Sequence, residues 1–454
     1  MPLLRRAFVA LLGALAVVAC TTTPAPTALP PIVFVHGNGD SAALWTTTLW
    51  RFESNGWPSD RLVALNMPYP MARDDDTKPQ PGRSSADEQM RTLAAEVERV
   101  RKATGASKVV LMGNSRGGNA IRAYIQYGGG ADTVSHAILG GTPNHGVWAI
   151  PAFQPNNEFN GAGPFLKGLN APKGANGDEV TPGVAWLTIR SDSNDKYAQP
   201  DGVWIGAKGT PTNVTFDGPA LKGATNVVLP GRDHREVAYH AEAFAQAYRF
   251  ITGREPATTA ITPESRVVLN GLVTGTGPGG PTNLPLVGAT VEVFAIDPAT
   301  GERVGAPLVK TLIAGDGRWG PLVTDSSTPL EFVVSAAGYA THHIYRSPFA
   351  RSSSIVHLRP ERLADADRKA AAVVTLVRPR GYFGLPRDQI VFDNQNPPPG
   401  IPTGVAGVAS SKLLLDSAGR TVVGDYHSGA IAERVVGRSW PTADNQLATL
   451  ELHN

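Results

Sequence analysis

The sequence predicts an α/β domain, its sheet mostly parallel with helices on both faces, followed by one or two small all-β, sandwich-like domains. Three observations carry this. Between residues 32 and 253 short apolar runs alternate with helical periodicity, a pattern met by parallel strands joined through crossover helices. From residue 266 onward the chain turns to short alternating strands broken by turns, without a long helical stretch. The 454 residues also exceed one ordinary core.

Taken in order, residues 1–20 stand apart from the fold. Arg5 and Arg6 form a positive start, residues 8–18 an apolar run, and Ala19-Cys20 its end. The run is too short to span a bilayer as a helix. Val17-Val18-Ala19-Cys20 resembles the lipobox of bacterial lipoproteins, which implies a lipidated Cys20 and membrane anchoring through it. The alternative is an ordinary signal peptide. Cys20 is the only cysteine, so no internal disulfide is expected. Residues 21–30 read as a Thr/Pro/Ala tether.

In the α/β domain, placed at 31–253, strands are expected at 32–35, 62–65, 109–112, 136–139, 185–190 and 226–229. Met90, Leu93, Val97 and Val100 mark one helix. Val237, Ala241, Phe244, Tyr248 and Ile251 mark another, with His240 inside it. Residues 254–265 read as a linker, 266–360 as a β-sandwich domain and 361–454 as a C-terminal β domain. Strands are expected at 267–272, 289–295, 308–313, 330–336 and 353–358. A further set falls at 373–377, 389–393, 412–416, 421–424 and 447–452. The Asp316-Gly317 turn predicts a hairpin between two of these strands, and 361–372 a short helix. The glycine-rich run at 275–280 lacks a following helix and a Lys-Ser/Thr ending, so it reads as a hairpin loop rather than a phosphate cradle.

Charge adds exclusions. Loss of Arg5 and Arg6 with the leader brings the 41 basic residues down to 39, equal to the 39 acidic ones. Such a balance offers no basic field for nucleic acid. No Cys/His spacing suits a metal, and no cofactor is implied.

The chemistry concentrates at Gly113-Asn114-Ser115-Arg116-Gly117, between an expected strand and an expected helix. Gly-x-Ser-x-Gly in that setting is a sharp turn that exposes a nucleophilic serine. A serine hydroxyl needs a base, and the base an orienting acid. Ser191 to Pro200 follows an expected strand and offers Asp195, with Asp192 nearer the strand end as its rival and Asp201 a distant third. His234, after the last expected strand, is the candidate base. His240 and His145 are poorer ones, the latter a candidate cleft wall. His36-Gly37-Asn38-Gly39 follows the first strand. The backbone N–H groups of Asn38 and Arg116 are the expected oxyanion hole. Trp148, Ile150, Phe153, Phe159, Phe165 and Leu166, spread over 144–183, read as a lid or acyl-pocket cap, or else as a loose cover for the sheet edge.

Together these pieces resemble the α/β-hydrolase superfamily, and within it the secreted bacterial and archaeal lipases and esterases with C-terminal β domains. The resemblance covers 31–253, about half the chain. It implies a Ser115–His234–Asp195 triad acting on hydrophobic carboxylic esters through an acyl-enzyme, in an outer-membrane lipoprotein or secreted protein. Many lipases of this kind carry His before the serine and an apolar residue or Gln after it; Asn114 and Arg116 depart from that and argue against long-chain triglyceride. A polyester depolymerase or an acyltransferase would use the same triad, and a non-catalytic adhesin would keep only the scaffold. Gly288 to Val293 and Ser335 to Tyr339 resemble transthyretin-like domains. Since Ser115, Asp195 and His234 all precede Arg254, a catalytic domain that works on soluble esters without the β region is expected.

Overall fold

The computed structural model describes residues 29–454; the expected leader, Cys20 and most of the tether lie outside the described residues. Six strands build the first sheet: β1 (Ile32–Val35), β2 (Leu62–Leu65), β3 (Val109–Asn114), β4 (Val134–Gly140), β5 (Ala185–Arg190) and β6 (Thr225–Val228). They run in the order β2-β1-β3-β4-β5-β6 and every pair is parallel. Strands buried on both faces need continuous apolar runs, and β1 and β3 are buried throughout.

Among the described residues seven α-helices accompany the sheet: α1 (Thr46–Ser54), α2 (Ala86–Thr104), α3 (Arg116–Tyr127), α4 (Gly130–Thr133), α5 (Pro164–Leu169), α6 (Glu236–Tyr239) and α7 (Ala241–Thr252). In α2 the predicted stripe is real: Leu93, Val97 and Val100 are buried against β3 and β4 residues. A capping box between Ser85 and Glu88 starts it and left-handed Gly105 stops it. Cores lie on both faces of the sheet, with α1 and α7 on one and α2 and α3 on the other.

The helix expected from Val237 onward is broken. His240, at ψ 156°, separates α6 from α7, and its Nδ1 accepts the Glu242 amide at 3.3 Å. His240 is therefore a cap rather than a helix-interior residue. The apolar periodicity continues across the break because Val237 and Phe244 enter the same core.

The remaining strands are β7 (Val267–Leu272), β8 (Thr274–Gly277), β9 (Gly280–Pro285), β10 (Thr290–Ala295), β11 (Val309–Leu312), β12 (Arg318–Thr324), β13 (Leu330–Ser335) and β14 (Thr341–Arg346). After them come β15 (Ala372–Val377), β16 (Gln389–Phe392), β17 (Ser410–Leu415), β18 (Thr421–Ser428), β19 (Ile431–Arg438) and β20 (Gln446–Glu451). One seven-stranded sheet, β11-β10-β13-β14-β20-β15-β17, draws strands from both sides of residue 360, and β20 lies parallel between β14 and β15. The pair β7–β12 closes over one core of this sheet and the triple β16-β18-β19 over another. The 275–280 run is the β8–β9 hairpin, as expected.

Three local expectations fail. The Asp316-Gly317 turn joins strands of different sheets, since β11 pairs with β10 and β12 with β7. Residues 353–358 follow β7 through backbone hydrogen bonds at Ser353, Val356 and Leu358 but form two isolated bridges, at Ser353 and Leu358, rather than a continuous strand. Within 361–372 only a single tight turn, Asp367–Lys369, is helical.

The β region is seated firmly on the α/β domain. Trp50 of α1 packs in the β-region core and donates its indole N–H to the Ser352 carbonyl at 2.9 Å. Glu53, also on α1, pairs with Arg351 of the β region at 3.2 Å.

Candidate active site

The turn between β3 and α3 sets the geometry. Ser115 sits there at φ 52°, ψ −121°, a conformation that costs a residue with a Cβ on the order of 1–3 kcal/mol. The flanking glycines are required for close approach. A Cβ on Gly113 would fall 2.8 Å from the Gly118 nitrogen, and one on Gly117 would overlap the Val35 carbonyl oxygen at the end of β1. Arg116 is the first residue of α3, so its N–H has no intrahelical acceptor.

Asp195 and His234 meet. His234 Nδ1 lies 2.9 Å from both carboxylate oxygens of Asp195. Two carboxylate acceptors at Nδ1 hold the proton there and leave Nε2 as the acceptor; Nε2 is buried and has no hydrogen-bond partner among the described residues. The Tyr197 ring meets the imidazole edge-on at 4.6 Å, and Asp195 also accepts the Tyr197 amide at 2.8 Å. Asp192 does other work: it accepts the amides of Gly231 at 3.0 Å and Asn194 at 3.1 Å, bracing the loop.

Ser115, His234 and Asn38 line one cavity of about 160 Å³, walled by Val147, Trp148, Phe159, Tyr197, Trp204, Ile205 and Tyr382. Of the six aromatic and aliphatic residues expected as cap, Trp148 and Phe159 reach it; Leu166 instead packs under α3 against Ala123. A second cavity of about 270 Å³ runs behind Asp195 and His234, with His145 in its wall, paired to Glu179 at 3.0 Å.

The residues on either side of Ser115 have roles that a reading of the turn alone does not reveal. Asn114 Nδ2 donates to the carbonyl of His234 at 3.2 Å, fastening the histidine loop to the serine turn. The Arg116 side chain is buried and grips Glu158 (Nε to Oε1, 2.7 Å), the Pro70 carbonyl at 3.0 Å and the Ser84 carbonyl at 2.7 Å. Arg116 thus ties the 144–183 segment to the 70–84 loop. Asp40, just past Asn38, pairs with Arg235 at 2.6 Å, which joins the Asn38 loop to the histidine loop.

His36 is buried and neutral, its pKa pushed down to about 4 by burial, which outweighs a hydrogen bond to the Gly37 carbonyl. Its Nε2 accepts the Met67 amide at 3.0 Å. Lys196 is held down to about 8, chiefly by burial and by Arg235; its ammonium lies 3.7 Å over the Tyr382 ring. Asp76 is raised to about 6 by burial and by the charge of Glu158.

Tyr382 comes from the β region, as do Arg378 and Arg387, whose guanidinium groups reach Glu236 beside His234 at 2.5 and 2.8 Å. The sequence gives them no motif. The only signal is a cluster of arginines, Arg378, Arg380 and Arg387, close after an apolar strand.

Residues 30–156 match the family model for lipase (class 2), and residues 265–363 that for the lipase C-terminal domain. The first match includes Asn38, Ser115 and Arg116 and ends before Asp195 and His234. No curated protein matches the sequence. Among solved structures, the chain is similar to the Bacillus licheniformis lipase BlEst2 in mature form: 19% identity, 51% of this chain and 95% of that one, TM-score 0.35. The same lipase in its propeptide form is 16% identical over 92% of this chain and 94% of that one, TM-score 0.36. Carboxylesterase CesB from Bacillus subtilis is 15% identical over 50% and 86%, TM-score 0.27. On a six-stranded parallel sheet with a strand–serine–helix turn, the chain thus carries a class 2 lipase match over residues 30–156 followed by a lipase C-terminal domain match over residues 265–363.

Proposed function

We propose that the protein is an exported serine ester hydrolase that cleaves hydrophobic carboxylic esters through an acyl-enzyme. The observation that carries this is His234, paired through Nδ1 with Asp195, lining one cavity with strained Ser115 and a wall of aromatic side chains. His234 Nε2 takes the Ser115 proton as the hydroxyl attacks the ester carbonyl, and Asp195 stabilises the imidazolium that forms. The backbone N–H groups of Asn38 and Arg116 receive the oxyanion, the latter at the positive end of α3. His234 then protonates the leaving alcohol, and water repeats the sequence to release the acid.

A cavity near 160 Å³ is close to the ~150 Å³ of an engineered cavity that holds benzene. It suits an acyl chain of about six heavy atoms, and butyryl or hexanoyl esters over long-chain triglyceride. Export, with lipidation of Cys20 as the anchor, belongs to the same proposal and rests on residues 1–20.

A fluorophosphonate probe tests the chemistry. It should label the parent at Ser115 and leave Ser115→Ala unlabelled, and a p-nitrophenyl ester series should peak at short acyl groups. An unlabelled parent would refute the triad. A peak at long acyl groups would refute the substrate class alone. Cell fractionation tests the anchor: Cys20→Ser should move the protein from membranes to the soluble fraction.

A further inference from the structure

His234 lies inside a small cap. In Asp233-His234-Arg235-Glu236 the Asp233 carboxylate accepts the amides of Arg235 at 2.8 Å and Glu236 at 3.0 Å. The Glu236 carboxylate returns to the Asp233 amide at 2.8 Å. This is the reciprocal arrangement of a capping box, with Asp in the place of Ser or Thr. Both carboxylates are buried, at 0% and 1% exposure. Two like charges so close in a dry setting need counter-charges, and Arg378 and Arg387 of the β region supply them.

Arg378 directly follows β15 and is 0% exposed. Its Nη1 donates to Asp233 at 3.0 Å, its Nη2 to Glu236 at 2.5 Å and to the Tyr239 hydroxyl at 3.0 Å. Arg387 donates to Glu236 Oε2 at 2.8 Å from a partly buried position, its side chain 18% exposed. The Tyr382 amide donates to Asp233 at 2.7 Å. The histidine loop is thus fastened on three sides: by Asn114 to the serine turn, by Asp40 to the Asn38 loop, and by Arg378 and Arg387 to the β region.

We infer that Arg378, assisted by Arg387, is a positioning residue for His234: the β region closes the capping box around the base and so sets the imidazole against Ser115. This rests on the triad proposed above. Neither arginine lines the cavity, and their link to its wall runs only through the Tyr382 carbonyl, which accepts from Arg378 at 2.9 Å and from Arg387 at 2.7 Å; their main effect therefore falls on the chemical step, with a smaller one on substrate binding.

The test compares full-length parent, Arg378→Met, Arg378→Lys and Arg387→Met. Folding is followed by circular dichroism. Active sites are titrated with the fluorophosphonate, and kcat per titrated site and KM are measured on p-nitrophenyl butyrate. A base displaced by about 1 Å costs on the order of 100-fold. Folded Arg378→Met should lose about 10- to 100-fold in kcat per site with KM within about twofold, and Arg378→Lys should recover part of it. A purely structural role would lower the number of titrated sites and leave kcat per site unchanged, and that result overturns the inference. Should Arg378→Met fail to fold, Arg387→Met decides by the same split: lowered kcat per site supports the inference and an unchanged value overturns it. Failure of the parent to label at Ser115 would instead remove the triad reading, and the inference with it.

Discussion

Ser115→Gly and Ser115→Ala form a pair that separates the backbone of the serine turn from its chemistry. Both delete the hydroxyl, and under the proposed mechanism both lose about 10⁴-fold or more in hydrolysis. They differ only in the Cβ. At φ 52°, ψ −121° that Cβ costs on the order of 1–3 kcal/mol. Alanine retains the cost and glycine removes it, while glycine's extra freedom in the unfolded chain takes back about 0.4–1 kcal/mol. The glycine variant should therefore be more stable than the alanine variant by about 1 kcal/mol. With an unfolding entropy of about 2.1 cal/mol/K per residue over a domain of about 220 residues, this is a Tm difference of about 2 °C. Urea unfolding and calorimetry would read it. The sign carries the argument, because in an ordinary helix or strand glycine is worse than alanine by about 0.5–1 kcal/mol. An alanine variant as stable as the glycine variant, or more so, would refute strain at Ser115.

Other predictions follow from the same geometry. Asp195→Asn should lower kcat far more than Asp192→Asn, since only Asp195 touches His234 Nδ1; steady-state kinetics with the reverse order would assign the acid to Asp192. Glu158→Gln leaves Arg116 buried without its counter-charge, at a cost of about 3–5 kcal/mol, and should expose the 144–183 segment to limited proteolysis. Acid should destabilise the fold early. Burial pushes His36 and His240 down to about 4 and His342 and His453 down to about 3. The unfolded chain therefore takes up protons first as pH falls below about 6.5, and each such histidine removes up to about 1.4 kcal/mol per pH unit until its folded value is reached; a Tm that stays level between pH 7 and 5 would contradict this. A chain ended after Gly253 should be inactive even on soluble esters, because Tyr382, Arg378 and Arg387 go with the β region.

That last expectation reverses the one drawn from the order of Ser115, Asp195 and His234 along the chain, and the reason is physical. Each of the three carries a local signature: a glycine-framed turn, a polar loop after a strand, a histidine after the final strand. Arg378 and Tyr382 carry none, because their effect depends on a tertiary contact about which local sequence says nothing. The parallel sheet was legible for the same local reason, since strands buried on both faces are written as unbroken apolar runs. β14 escaped notice because Thr341-His342-His343-Ile344-Tyr345-Arg346 reads as polar. In the fold its polar groups are paired, His343 with Glu331 at 2.7 Å and Arg346 with Glu451 at 2.8 Å. The segment 353–358 differs the other way: it alternates like a strand and bonds along β7, yet its pairing is too irregular to form a continuous strand.

The placement of β20 bears on when activity can arise. β20 lies parallel between β14 and β15, so the strand that leads into Arg378 has one of its two neighbours only after residues 446–451 have been made and inserted. Contacts of such sequence separation form slowly. During synthesis the serine turn emerges early, whereas the arginine that fastens the histidine loop gains its seat late. A nascent chain would thus carry a formed serine turn beside an unfastened histidine loop until the β sheet has closed.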